Sequence, residues 1–156
     1  MHADAVLRAD RDVVVAAVRQ NPFALEYADP ALREDKTVVL AAVAPDVGLY
    51  EPSMLTLAHP TLRRDKDVVL TAVAYDGEAL AYVDADLRAD PGVVLTAVAH
   101  TGIALEHADE LLLDDRAFLR KALAVNAFAL EALPNADKDL VLLAVMHHGC
   151  ALRHAH

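Results

Sequence analysis

The chain has 156 residues, 56% of them hydrophobic and 4% aromatic, with no Trp and a net charge of −10. That length supports one domain with a sizeable core. The acidic balance disfavours a nucleic-acid binder, which needs cations to displace phosphate counterions, and disfavours docking on anionic lipid. Cys150 is the only cysteine, which excludes an internal disulfide and a multi-cysteine zinc site.

Reading from the N-terminus, Met1-His2-Ala3-Asp4 lacks the basic and apolar regions of a signal peptide. No apolar run approaches the roughly 18 residues of a membrane span. A soluble cytoplasmic or otherwise intracellular protein is the expectation. Ala3-Asp4-Ala5-Val6-Leu7 then leads to Asp10, followed by Arg11-Asp12-Val13-Val14-Val15-Ala16-Ala17-Val18. This pattern recurs as Asp35-Lys36-Thr37-Val38-Val39-Leu40-Ala41-Ala42-Val43, and again from Asp65, Asp90, Asp115 and Asp137. The fifth copy is degenerate, with Ala117-Phe118-Leu119 in place of Val-Val-Leu. Steps between the aspartates are 25, 30, 25, 25 and 22 residues. The long step holds an insertion at Pro45–Pro52, and the short one a deletion near Pro134, as expected of connections between helices.

Each aspartate reads as the N-cap of a helix of about nine residues, its carboxylate accepting from the first free N–H groups. Asp90-Pro91 supports this, because Pro suits the first helical position, where no N–H is needed. A second helix is expected to begin at Asn21-Pro22, Asp76-Gly77, Thr101-Gly102 and Asn126-Ala127, with the first residue of each pair as its cap. The glycines could instead close the preceding helix in a left-handed conformation. Pro22, with φ fixed near −65°, cannot do so, and the capping reading is the consistent one. Ala-Leu pairs such as Ala24-Leu25 should face the core. Turns such as Asp29-Pro30-Ala31-Leu32 follow, and Leu7, Leu32, Leu62, Leu87 and Leu112 should plug the layers between units. Such short helices are unstable alone but can bury a continuous core when stacked. The expected fold is therefore all-α: one domain, an α-helical solenoid of six repeats with units near 4–29, 30–59, 60–84, 85–109, 110–133 and 134–156. The hand of its winding is not written in the sequence.

The pattern D-K-x-V-V-L-x-A-V followed by G-x-A-L-x-Y-A resembles the repeats of domain-of-unknown-function family 4116, over nearly the whole chain. The resemblance implies no established activity and supplies no catalytic residues. A weaker similarity, in the V-x-x-A-V and N-P elements, is to leucine-rich variant repeats.

Four groups of residues invite a functional reading. Asp10, Asp12, Asp84, Asp86, Asp90, Asp109, Asp114 and Asp115 could be acid/base pairs or calcium ligands, but capping and solvation explain why they recur, and a catalytic pair should occur once. His147, Cys150 and His154, with His148 and His156 nearby, have the side chains of a zinc or copper site. Gly149 should break their helix face, and Cys150 aligns with the apolar, packed positions of Ile103 and Phe128. Arg8, Arg33, Arg63 and Arg88 follow the plug leucine in successive units. They could bind an acidic partner or phosphate, or pair with a nearby carboxylate such as Glu34 or Asp10. Tyr27, Tyr82 and His107 share a position in the second helix and suit a partner groove or half-buried packing. Ser53, the only serine, lies in the insertion, and no glycine-rich phosphate loop exists.

The expected function is a non-catalytic scaffold or protein–protein interaction module without a cofactor. The alternatives are a structural or assembly element or fragment of a longer repeat array, stacking end to end, and a metal-binding protein using the C-terminal His/Cys cluster. The partner expected is another protein.

Overall fold

The computed structural model describes residues 5–43 and 54–155. The Pro45–Pro52 insertion, Ser53, Ala3-Asp4 and His156 lie outside the described residues. Among the described residues the chain is all helical, with no strand. Six α-helices have eight to ten residues: α2 (Arg11–Gln20), α3 (Lys36–Val43), α4 (Lys66–Tyr75), α6 (Pro91–His100), α8 (Arg116–Val125) and α9 (Lys138–His147). Three are single turns: α1 (Ala5–Arg8), α5 (Ala85–Arg88) and α7 (Glu110–Asp114).

The long helices start where the aspartates put them. One carboxylate oxygen of each of Asp10, Asp35, Asp65, Asp90, Asp115 and Asp137 accepts the N–H groups of the second and third residues after it, at 2.8–3.2 Å. This satisfies two of the four donors that a helix start leaves free.

The second helix of each unit is 3-10 rather than α. These helices are η1 (Pro22–Tyr27), η5 (Gly77–Tyr82), η6 (Gly102–His107), η7 (Ala127–Ala132) and η8 (Gly149–His154). A 3-10 helix has three residues per turn, so residues i, i+3 and i+6 line one stripe. Gly77, Leu80 and Val83 are accordingly all buried, as are Gly102, Leu105 and Ala108. Asn21, Asp76 and Asn126 cap these helices as expected, each accepting at 3.1 Å. Thr101 does not: its side chain makes no cap bond. Its Cγ2 instead lies over Gly77, 2.8 Å from where a Cβ would stand. The turns after the second helices include η2 (Pro30–Arg33) and η4 (Pro60–Arg64); η3 (Met54–Thr56) holds Leu55, at the Leu25 position of its own unit.

Stacking runs in sequence order. Helix α2 packs on α3, α3 on α4, α4 on α6, α6 on α8 and α8 on α9, while η5 packs on η6, η6 on η7 and η7 on η8. The long helices α3, α4, α6 and α8 each bury two faces. Val38 and Ala42 lie on the face toward the preceding layer and Val39 and Val43 on the face toward the next, and all four are buried. The same four positions are buried in α4, α6 and α8. Backbone bonds tie consecutive layers along the turns: the N–H groups of Asp29, His59, Asp84 and Asp109 donate to the carbonyls of Arg8, Arg33, Arg63 and Arg88 at 2.9–3.2 Å.

Glycine is required at two close approaches between consecutive layers. A Cβ at Gly102 would stand 2.4 Å from the Ala129 nitrogen and 2.5 Å from the Phe128 carbonyl carbon. At Gly77 it would stand 2.6 Å from the Ala97 carbonyl oxygen. The plug leucines are unequal. Leu62 and Leu112 are buried and Leu32 and Leu87 half-buried, whereas Leu7, in the first layer, is exposed.

Candidate functional site

The recurring cap aspartates are occupied by the fold. Besides capping its own helix, each cap aspartate from the second to the fourth layer, and in the last, meets a cation from the layer before. Arg11 Nε donates to Asp35 at 2.9 Å, Lys36 reaches Asp65 and Asp67 at 2.8 and 2.7 Å, Lys66 bonds Asp90, and Arg116 bonds Asp137 and, at 3.0 Å, Asp139. In the fourth layer Pro91 takes the slot of the cation, and Asp115 has no such partner among the described residues. These contacts lower several carboxyl pKa values. The Lys36 ammonium holds Asp65 down, Lys66 does the same for Asp90, and Arg64 for Asp84. At Asp35 partial burial pushes upward, but the bonds from Arg11 and from the Val38 and Thr37 N–H groups outweigh it. At Asp137 the Leu140 N–H is the largest lowering influence. Of the other acids, Asp84 and Asp109 cap the short helices α5 and α7.

The Arg column behaves differently from its neighbours. Neither Glu34 nor Asp10 pairs with it; Glu34 lies instead 3.4 Å from His59. Arg8 is exposed, while Arg33, Arg63 and Arg88 are half-buried. Arg63 Nη2 donates to the Thr56 carbonyl at 3.0 Å. The Nε atoms of Arg63 and Arg88 are both buried without a hydrogen-bond partner. A donor left so is destabilising, and a guanidinium carries its charge at all accessible pH.

Both arginines line an open groove of about 530 Å³ where η4 faces the end of η5 and the start of α5. Tyr82 forms part of its wall, as do Arg64 and Asp84, which pair at 2.9 Å. The lining therefore carries three guanidinium groups against one carboxylate, in a chain that is acidic overall. An anionic group in the groove would meet guanidinium charge from Arg63, Arg64 and Arg88, and the flat ring of Tyr82 offers apolar area beside it. Arg8, Arg33, Tyr27 and His107 do not line this groove. Tyr27 and Tyr82 are 67% and 42% exposed, so these tyrosines are surface groups and not half-buried packing; His107 is half-buried. Sequence reasoning passed over Arg64. Its signal was the doubled basic pair Arg63-Arg64, found only in the third turn.

His147, Cys150 and His154 are not brought together. Helix α9 stops at His147, His148 takes the cap position of η8, and no group of three or more metal-ligating side chains occurs among the described residues. His154 lies 3.5 Å from Glu131 and edge-on to Phe128. Cys150 is exposed, against the packed position expected of it; of its equivalents, Phe128 is also exposed and Ile103 half-buried. No described helix is long and apolar enough to cross a membrane.

Comparison with known families gives one match. The profile described as "Domain of unknown function (DUF4116)" matches residues 1–33, 10–44 and 90–136, more than half of the chain. The chain belongs to this family. The overlap of the first two segments is what a tandem repeat produces when one profile fits it in more than one register. Neither a curated protein nor a solved structure matches the chain. Membership in the DUF4116 family describes the repeat and brings no reaction, ligand or partner with it.

Proposed function

We propose that the chain is a six-unit α-helical solenoid acting as a non-catalytic scaffold, and that the groove at Arg63, Arg88 and Tyr82 receives an acidic segment of a partner protein. The observation that carries the reading is an open groove lined by Arg63, Arg64 and Arg88 against the one carboxylate of Asp84. A carboxylate-bearing segment supplies acceptors in the geometry guanidinium prefers. The unit-by-unit stacking supports the solenoid, and the engagement of the recurring aspartates in caps and ion pairs supports a non-catalytic role. At physiological salt, fields beyond about 8 Å are screened, so the local cationic lining outweighs the chain's net charge.

A labelled Asp/Glu-rich peptide, titrated and followed by fluorescence anisotropy, tests this. Binding should weaken with salt and fall at least about tenfold in the Arg63→Gln/Arg88→Gln double variant, as expected for lost bonds to charged groups. Arg8→Gln, outside the groove, should leave it unchanged. Equal affinity of the double variant and the parent would refute the assignment.

A further inference from the structure

One ion pair across the layers departs from the rule that the others follow. Arg11, Lys36, Lys66 and Arg116 each follow a cap aspartate and reach the cap aspartate of the next long helix. Arg64 instead precedes the cap of α4, and its Nε donates at 2.9 Å to Asp84, the cap of the single turn α5. The Arg64 position holds Ala9, Glu34, Ala89, Asp114 and Ala136 in the other units. Asp29 and Asp109, equivalents of Asp84, accordingly cap their turns with no ion pair among the described residues. Each accepts the N–H two residues on, at 3.0 and 2.9 Å. At Asp84 the same bond, from the Asp86 N–H, is stretched to 3.4 Å. The carboxylate is drawn toward Arg64 at the expense of its cap.

That carboxylate is part of the groove lining, with Arg63, Arg64 and Arg88. The backbone fixes it there, because the Asp84 N–H donates to the Arg63 carbonyl at 3.2 Å. Its side chain is 23% exposed and that of Arg64 73%, so the acid is tucked against the wall while the base reaches into solvent. The charge of Arg88 adds to the Arg64 bond in holding the Asp84 carboxyl below its ordinary range. A guanidinium held by a carboxylate is the same contact that an acidic segment would make. We propose that Asp84 is a resident competitor for that segment, occupying Arg64 until a carboxylate of the partner displaces it. Displacement returns Asp84 to the full cap that Asp29 and Asp109 make. An exposed ion pair is worth little, so the contact tunes affinity and does not close the groove. The proposal rests on the groove reading above and adds to it the residue that limits its strength.

Fluorescence anisotropy with a labelled Glu-rich peptide tests this. Asp84→Asn keeps a capping side chain at the start of α5, and circular dichroism should show it folded as the parent. It should bind the peptide about fivefold more tightly, the upper end for one exposed ion pair. Adding Arg64→Gln to Asp84→Asn should remove that gain, because Arg64 is the group released to the peptide. Asp86→Asn takes away the same charge from a residue outside the groove lining, and should change affinity by less than about twofold at physiological salt. An Asp84→Asn chain that binds no more tightly, while Arg63→Gln/Arg88→Gln still weakens binding, would overturn the competitor and leave the groove reading standing. A gain that survives Arg64→Gln, or one matched by Asp86→Asn, would also overturn it, since net charge alone would then be the cause. A peptide bound by neither the parent nor Asp84→Asn would remove both readings together. Binding by Asp84→Asn and not by the parent would support both.

Discussion

Replacing Gly102 by alanine adds one methyl group at the closest approach between two layers. The new Cβ would stand 2.4 Å from the Ala129 nitrogen, 2.5 Å from the Phe128 carbonyl carbon and 2.9 Å from the Ala129 Cα. All three are backbone atoms of a helix that cannot swing aside as a side chain would. Ordinary contact begins near 3.4 Å, so η6 and η7 must separate by about 1 Å. A gap of that size forfeits a quarter to a half of the dispersion energy of the facing atoms. The atoms concerned belong to fully buried side chains, Ala104, Leu105, Ala129 and Leu130. Overpacking of a close-packed core typically destabilises by 1–3 kcal/mol, and a clash with backbone belongs at the upper end, about 3 kcal/mol. Because stability in a stack is shared between neighbouring layers, a weakened inner joint should also let the two sides unfold apart. Urea denaturation followed by helical circular dichroism should therefore show a lower midpoint and a shallower slope. Gly149→Ala is the matched control: its Cβ meets nothing, and the loss of backbone freedom in the unfolded chain should stabilise by about 0.4–1 kcal/mol. Equal midpoints for the two variants would refute the close-approach argument.

Other substitutions separate the remaining forces. Asp115→Ala removes a cap that has no ion pair across layers, and should cost about 1 kcal/mol in the same urea assay. Asp90→Ala loses two cap bonds and the Lys66 contact together, and should cost more; the reverse order would show that the ion pairs oppose stability. Leu80→Ala opens a cavity in a fully buried layer and should cost about 2–5 kcal/mol, whereas Leu152→Ala, at a side chain 61% exposed, should be nearly silent. Acid should also destabilise the fold. Asp35, Asp65 and Asp90 have carboxyl pKa values below 3.8 in the folded chain, so on lowering the pH the unfolded chain takes up protons first. Their contribution is complete above the unfolded value of about 3.9 and is lost as pH falls through the lower folded values. Urea midpoints should hold near neutrality and decline below about pH 5. A midpoint constant to pH 3 would contradict the lowered values.

What was legible in the sequence is what local chemistry dictates. An aspartate three residues ahead of a Val-Val run can be read as a cap because the bond it makes is to its own neighbours. Asp90-Pro91 added a second local constraint at the same point, and Pro22 excluded the left-handed alternative for its whole column. Less legible was anything that depends on the next layer. The 3-10 form of the second helices follows from a core stripe at a spacing of three. Gly, Leu and Val at 77, 80 and 83 carried that signal, but a run of six residues is too short for periodicity alone to separate it from α. The cations after the caps looked like ordinary solvated first-turn residues; their partners lie 20 or more residues away. Thr101 has a capping side chain but is turned toward Gly77, which only the packed neighbour explains. Of the candidate site, the column of arginines was visible but not its division. Arg63 and Arg88 share a groove, and Arg8 stands apart.

Pro91 leaves the joints unlike one another. It begins α6 well, yet it removes the one cation that would have reached Asp115. The contact of α6 with α8 therefore rests on Val, Ala, Phe and Leu side chains, on the bond from Asn126 Nδ2 to the Val98 carbonyl at 2.9 Å and on the tight fit at Gly102, with no ionic clasp among the described residues. Exposed ion pairs weaken as the screening length shrinks from about 10 Å at 0.1 M salt to 3 Å at 1 M, while apolar contacts do not. Ionic strength therefore acts on this chain as a selective softener. It loosens the joints around Lys36 and Lys66 and leaves the one behind Pro91 as firm as before, so the order of firmness among the joints depends on the composition of the solvent.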